Sequence, residues 1–223
     1  ECGYDSFEPL MTLYLTEDLT VEEIEKAWAT KKLRAIKYYP RGATTNSNEG
    51  VRSFDNVLDQ LNVMSMLQIP LLIHGEENVD KHNRPIDPFD KERVFVNETL
   101  TRVRDRHPFL QIVLEHITTQ EAASYILRHG GSLLSATITP HHLVSDRRAL
   151  FDGGLNPHFF CLPVLKRERD MQSLRELATL GVPYVFAGTD TAPPPHTCKR
   201  ACVRLCGRML RCSCCTVYVR ASV

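Results

Sequence analysis

The sequence predicts an α/β fold in which short buried strands alternate with amphipathic helices. Three observations predict it: six apolar runs of strand length, five stretches of helical period between them, and four chemically active residues at strand ends. The 223 residues are 43% hydrophobic and 24% charged, a composition that excludes a disordered chain and is long enough to bury a sizeable core. No apolar run approaches a membrane span, and no basic-then-apolar leader opens the chain, so neither a membrane nor a secretory role is expected.

Leu10–Leu15 is the first run of strand length. Thr20 with Glu23 forms a capping box ahead of Val21, Ile24 and Trp28, which predicts a helix. Leu33–Tyr38 follows as a second strand, and Val57, Leu61 and Met64 then recur at helical spacing. Pro70–His74 is the third strand, followed by Val96, Leu100 and Val103 on one helical face. After the fourth strand, Ile112–His116, Thr118 with Glu121 predicts a second capping box ahead of Ala122, Tyr125 and Ile126. Leu133–Ile138, the helical repeat of Met171, Leu174 and Leu177, and the strand Tyr184–Thr189 complete the alternation. Each run is apolar on both faces, as a fully covered parallel strand requires. An open doubly wound sheet is the competing architecture, but no glycine-rich phosphate loop follows any strand.

Four runs end on, or just before, a residue that can bind metal or move a proton: Lys37, His74, His116 and Asp190. In a (β/α)8 barrel the C-terminal strand ends converge on one rim, so residues far apart in sequence share a pocket. A single histidine ending a strand is more often a hydrogen-bonded core residue than a ligand, and a lone buried lysine is usually an ion-pair partner. Four at matching positions on successive strands favour a site. Neutral imidazoles and a carboxylate suit zinc. A desolvated lysine loses its proton more readily and can capture carbon dioxide as a carbamate, an anion able to bridge two metal ions. Water activated there would be a nucleophile near neutral pH, with the aspartate carrying the proton.

At these residues the chain resembles the single-domain bacterial-type dihydroorotases of the amidohydrolase superfamily. The resemblance rests on Pro9–Thr16, Lys37-Tyr-Tyr-Pro40 with Ala43-Thr-Thr-Asn46, and Pro70-Leu-Leu-Ile-His-Gly-Glu76. It continues through Glu115-His-Ile-Thr-Thr119, Ala136-Thr-Ile-Thr-Pro140, Cys161-Leu-Pro-Val-Leu-Lys-Arg167 and Gly188-Thr-Asp-Thr-Ala-Pro193. It implies a TIM-barrel metal-dependent hydrolase of which this chain carries strands three to eight. It also implies a cytoplasmic enzyme that reversibly cyclises N-carbamoyl-L-aspartate to dihydroorotate in pyrimidine (UMP) biosynthesis. In that family frame two zinc ions are expected. Lys37 would be the carbamylated bridging ligand, and His74 and His116 would bind the second zinc. His74 would also lie near substrate, Asp190 would be ligand and general acid/base, and the Leu162 backbone would touch the pyrimidine ring. The partner is a small molecule, with no nucleic acid, and the resemblance allows a homodimer.

The pattern departs from the family at both ends. None of the nine histidines forms the His-x-His pair that binds the first zinc, so the first two barrel strands and much of the carboxylate clamp are expected to be absent. Pro194 stands where the family has a substrate-contacting histidine. All 27 acids precede Thr191, whereas six of the 27 Lys/Arg and six of the eight cysteines follow Asp190. Dropping one base from degenerate codons at Pro194 turns Pro-Pro-His-Thr-Cys into His-Pro-Thr-His-Ala, so a frameshift near Pro193 is expected. Residues 1–193 are thus expected to form a partial barrel, and 194–223 an aberrant Cys/Arg-rich tail rather than a domain. A cysteine-rich zinc module or a basic nucleic-acid tail are the rival readings of that segment. A second functional class, an inactive dihydroorotase-like chain with only a binding role, remains beside the enzyme reading. A hydantoinase or allantoinase is disfavoured by the Pro70–Glu76 and Cys161-Leu-Pro motifs. Of the other histidines, His82 is expected in a surface loop, and His107, His129, His141, His142 and His158 in structural roles.

Overall fold

A strand that is apolar on both faces must be covered on both, and a sheet of such strands is stable only beneath a layer of helices. The computed structural model describes residues 9–44 and 46–190, and there the six runs form one such sheet. Its strands are β1 (Met11–Tyr14), β2 (Leu33–Tyr38), β3 (Leu71–His74), β4 (Ile112–Glu115), β5 (Leu134–Ile138) and β6 (Val185–Ala187). Every neighbouring pair is parallel and the order is β1-β2-β3-β4-β5-β6. A doubly wound sheet reverses its strand order at a switch point, whereas this one never does. Sequential parallel strands joined by right-handed crossovers put their helices on one side, which is the winding of a (β/α) barrel. Among the described residues β1 and β6 each have one neighbour, so the sheet is the partial barrel that the strand count predicts. Residues 194–223, with the frameshift and tail expectations, lie outside the described residues.

The helices between the strands are α1 (Val21–Ala29), α2 (Leu58–Leu67), α3 (Lys91–Val94), α4 (Thr101–Arg106), α5 (Gln120–His129), α6 (Pro140–Val144) and α7 (Glu168–Thr179). A π-helical stretch, Phe95–Leu100, joins α3 to α4 without a break. The core gathers the residues that the helical spacing selected, including Ile24, Val57, Leu61, Met64, Val96, Leu100, Val103, Leu174 and Leu177. The central strands β2 to β5 are mostly buried, while β1 and β6 are partly exposed. No described helix is long and apolar enough to cross a membrane.

The first capping box forms as expected: Glu23 N–H donates to Thr20 Oγ1 at 3.2 Å and Thr20 N–H to Glu23 Oε2 at 2.9 Å. The second does not. Thr119, not Thr118, caps α5 by accepting from Ala122 N–H at 3.2 Å. His116 turns the chain through φ +42°, and Thr118 then points its N–H and hydroxyl at Glu92 instead of along the helix.

Two glycines let the rim close up. A Cβ on Gly75 would stand 2.6 Å from Leu114 Cδ1, and one on Gly188 would stand 2.8 Å from Thr137 Cβ. The chain can therefore pass directly over β4 and β5 just beyond His74 and just before Asp190.

Two substitutions separate local from tertiary stabilisation. Thr20→Ala should cost about 1 kcal/mol in urea unfolding through the lost cap. Ile73→Ala, in the fully buried centre of β3, should cost about 2–5 kcal/mol through the cavity left behind.

Candidate active site at the strand ends

Parallel register decides which side chains share the rim. Tyr14 is level with Lys37, and His74 is level with Glu115, one residue before His116. The four residues singled out in the sequence thus come from β2, from the ends of β3 and β4, and from the segment after β6.

Lys37 is 6% exposed, and its Nζ forms an ion pair with Glu115 Oε2 and lies 4.7 Å from the centre of the Tyr39 ring. Burial pulls its pKa from an ordinary 10.5 down to about 7, and the charge of Asp190 resists that fall. A sizeable fraction of the amine is therefore deprotonated near neutral pH.

His74 and His116 stand side by side, with ring centroids 4.9 Å apart at 66°. The Nε2 of His74 is 2.7 Å from Glu76 Oε2, a fully buried carboxylate two residues further on. Burial pushes the Glu76 carboxyl up. The His74 hydrogen bond and the charges of His74, Lys166 and Lys91 outweigh it and leave Glu76 below the usual carboxylate range. His116 is held well below the ordinary imidazole value by burial first, then by the nearby His74, Lys37 and His142. Its ring is thus neutral, and its buried Nδ1 has no hydrogen-bond partner. The backbone N–H of His116 donates to Thr137 Oγ1 at 2.7 Å, tying β4 to β5 at this point.

Asp190 is partly buried, adopts φ +48°, and is near enough to Lys37 for its charge to act there. Leu162 is partly buried in a segment pinned from behind. His142 Nε2 donates to the Pro163 carbonyl at 3.0 Å, while Thr139 Oγ1 lies 2.7 Å from His142 Nδ1. Because His142 also acts on His116, the Cys161-Leu162-Pro163 stretch is linked to the rim through that imidazole. His141 binds the Phe159 carbonyl at 3.1 Å, His129 packs on Tyr125, and His82 and His158 are exposed.

The structure therefore brings His74 to His116 and Lys37 within reach of Asp190. No group of three or more His, Cys, Asp or Glu able to hold a metal ion occurs among the described residues. The donor chemistry nonetheless suits zinc: two adjacent imidazoles, one with an orphaned buried nitrogen and the other oriented by a carboxylate, beside a readily deprotonated lysine. Sequence reasoning gave no role to Glu76, Glu115, Tyr39 or Thr137. The signal for the two glutamates was a charge at the end of an otherwise apolar run. An open cleft of about 710 Å³ beside Phe89, Arg147 and Phe151 shares none of the rim residues.

No family model matches the chain. Dihydroorotase from Synechocystis sp. is 48% identical over 201 residues, 90% of this chain and 56% of that protein. Dihydroorotase from Stutzerimonas stutzeri is 46% identical over 195 residues, 87% of this chain and 55% of the relative. The crystal structure of dihydroorotase from Campylobacter jejuni superposes with TM-score 0.73 at 38% identity, covering 85% of this chain and 53% of that one. The chain is a dihydroorotase homologue. Saccharomyces cerevisiae dihydroorotase, solved with 5-fluoroorotic acid, agrees with TM-score 0.76 at 34% identity over 85% of this chain and 54% of the yeast protein. This dihydroorotase homologue spans about half the length of the relatives it matches. A D-hydantoinase at TM-score 0.60 and 16% identity shares the fold alone. By identity the kinship is with dihydroorotases, as the motifs imply.

The buried lysine has a consequence for stability. An amine with its folded pKa near 7 and its unfolded pKa near 10.5 leaves the unfolded chain holding more protons between those values. Stability should then rise with pH from about 7 toward 10.5. Urea unfolding across that range should show the rise, and Lys37→Met should flatten it.

Proposed function

We propose that this chain carries the larger part of a dihydroorotase site, for reversible cyclisation of N-carbamoyl-L-aspartate to dihydroorotate and water in pyrimidine biosynthesis. The observation that supports it best is the fully buried Lys37, with its pKa near 7, on the rim that also holds the adjacent His74 and His116. Lys37, once carbamylated, with His74, His116 and Asp190, would hold zinc, two ions in a complete site. Zinc, when bound, supplies Lewis acidity toward the ring amide carbonyl.

The chain's own groups do the rest. Carbamylation requires the free amine, so Lys37 must leave Glu115, and burial makes that neutral form accessible. The His74 Nε2 is occupied by Glu76, which leaves Nδ1 as its donor atom, and His116 offers its orphaned Nδ1. In ring opening, water adds its oxygen to the amide carbon, the C–N bond breaks, and the nitrogen takes a proton. Asp190 would accept the proton from water and return it to that nitrogen. The Leu162 backbone, pinned through His142 and Pro163, would meet the pyrimidine ring. A cytoplasmic setting and a homodimer accompany the same reading.

A second reading is a catalytically inactive homologue with a binding role. It is favoured by the lack of any His-x-His pair in the sequence. Zinc content and dihydroorotate hydrolysis by this chain discriminate the two. The enzyme reading expects bound zinc, turnover, and a loss of about 10²–10⁴-fold in kcat for Asp190→Asn. Zinc-loaded chain without turnover would favour the inactive homologue, and loss of turnover on chelation would support the metal-dependent enzyme.

A further inference from the structure

Behind the two histidines lies a buried charged network that the reaction itself does not use. Glu92, on α3, is 2% exposed and takes the backbone and hydroxyl hydrogens of both Thr118 and Thr119 in the turn after His116. Its carboxylate accepts from Thr118 N–H at 2.9 Å, Thr118 Oγ1 at 2.6 Å, Thr119 N–H at 2.8 Å and Thr119 Oγ1 at 2.6 Å. This turn is the one in which His116 adopts φ +42°, a conformation that a residue with a side chain holds only when its surroundings impose it. Thr137 Oγ1 restrains His116 from the β5 side, and Glu92 restrains the chain two residues on from the helix side.

Lys166 is the counter-charge. It is 4% exposed, donates to the Val164 carbonyl at 2.9 Å, and its charge acts on both Glu92 and Glu76. Glu76 in turn holds the ring of His74. The charge of one buried lysine thus acts on two buried carboxylates, one holding the His74 ring and the other the turn after His116. A buried carboxylate is tolerated when its hydrogen bonds are filled and an opposite charge is at hand.

We infer that Glu92 is a positioning residue that fixes the turn aiming His116. The inference rests on the zinc-site reading for its purpose, but its geometry stands independently. Glu92→Gln puts an amide donor where an acceptor is required, so the turn loses at least one Thr hydrogen bond.

The test uses the full chain with ¹⁵N-labelled histidine. Long-range ¹H–¹⁵N spectra at one pH report the ring environments of His74 and His116, and a chromophoric chelator competes for zinc. Glu92→Gln should move the His116 resonances more than those of His74, with zinc binding about 10–100-fold weaker. Leu61→Ala, a core change remote from the turn, is the stability control and should leave both rings in place. If Glu92→Gln does not fold, Thr118→Val should move His116 while Thr118→Ser leaves it unmoved. Histidine spectra in Glu92→Gln, or in Thr118→Val, that match those of the Leu61→Ala control overturn the inference. A wild-type chain that binds no zinc but shows the predicted resonance shifts defeats the metal reading and leaves the positioning role standing.

Discussion

Parallel strands that are buried on both faces cannot carry charge along their length, so the polar groups collect where the strands end. That constraint organises the molecule. Leu71, Leu72 and Ile73 are covered, and the next residue, His74, is the first able to use a polar neighbour. The same holds for Ile112 and Leu114 before Glu115 and His116, and for Ala35 and Ile36 before Lys37. Because all six strands point the same way, these ends lie on one rim and their charges must be balanced there.

The balance is made from pairs at close range. Lys37 faces Glu115, His74 faces Glu76, and the charge of Lys166 acts on Glu76 and Glu92. Burial alone would neutralise each of these groups, and their partners decide how far that goes. Glu76 ends below its ordinary pKa because His74 and two lysines act on it, whereas Glu92 ends above it despite four Thr donors and Lys166. Burial brings the pKa of the Lys37 amine down to about 7, with the charge of Asp190 opposing the fall. Relatives that share this stretch are dihydroorotases, and the chain covers about half of their length. The rim described here lies within that shared stretch.

All six strands and the main helices were legible, since an apolar run of five or six residues between helical repeats has few other interpretations. The mistakes have local causes. Thr118-Thr119 offers two candidate caps one residue apart, and only the left-handed turn at His116 decides that Thr119 takes the role. The helix beginning at Lys91 widens to a π-helical stretch at Phe95–Leu100, although its apolar spacing reads as an ordinary helix. At the rim, Lys37, His74, His116 and Asp190 stood out by type and position. Glu76 and Glu115 lie within the motifs without a mark of their role, because a glutamate beside a histidine in sequence need not face it in space.

Composition and periodicity by themselves determined that this chain forms parallel strands alternating with helices, since 3.6-residue and two-residue repeats respond to burial whatever the partners are. Residue type at the strand ends determined which groups could bind metal. Only the tertiary structure decided how those groups are charged and aimed. Glu92 is 24 residues from His116, and Lys166 is about 90 residues from Glu76, so no local pattern marks them as supports. Their role arises when α3, β4 and the segment before α7 pack together and exclude water, because a charge acquires its pKa and its hydrogen bonds from neighbours in space.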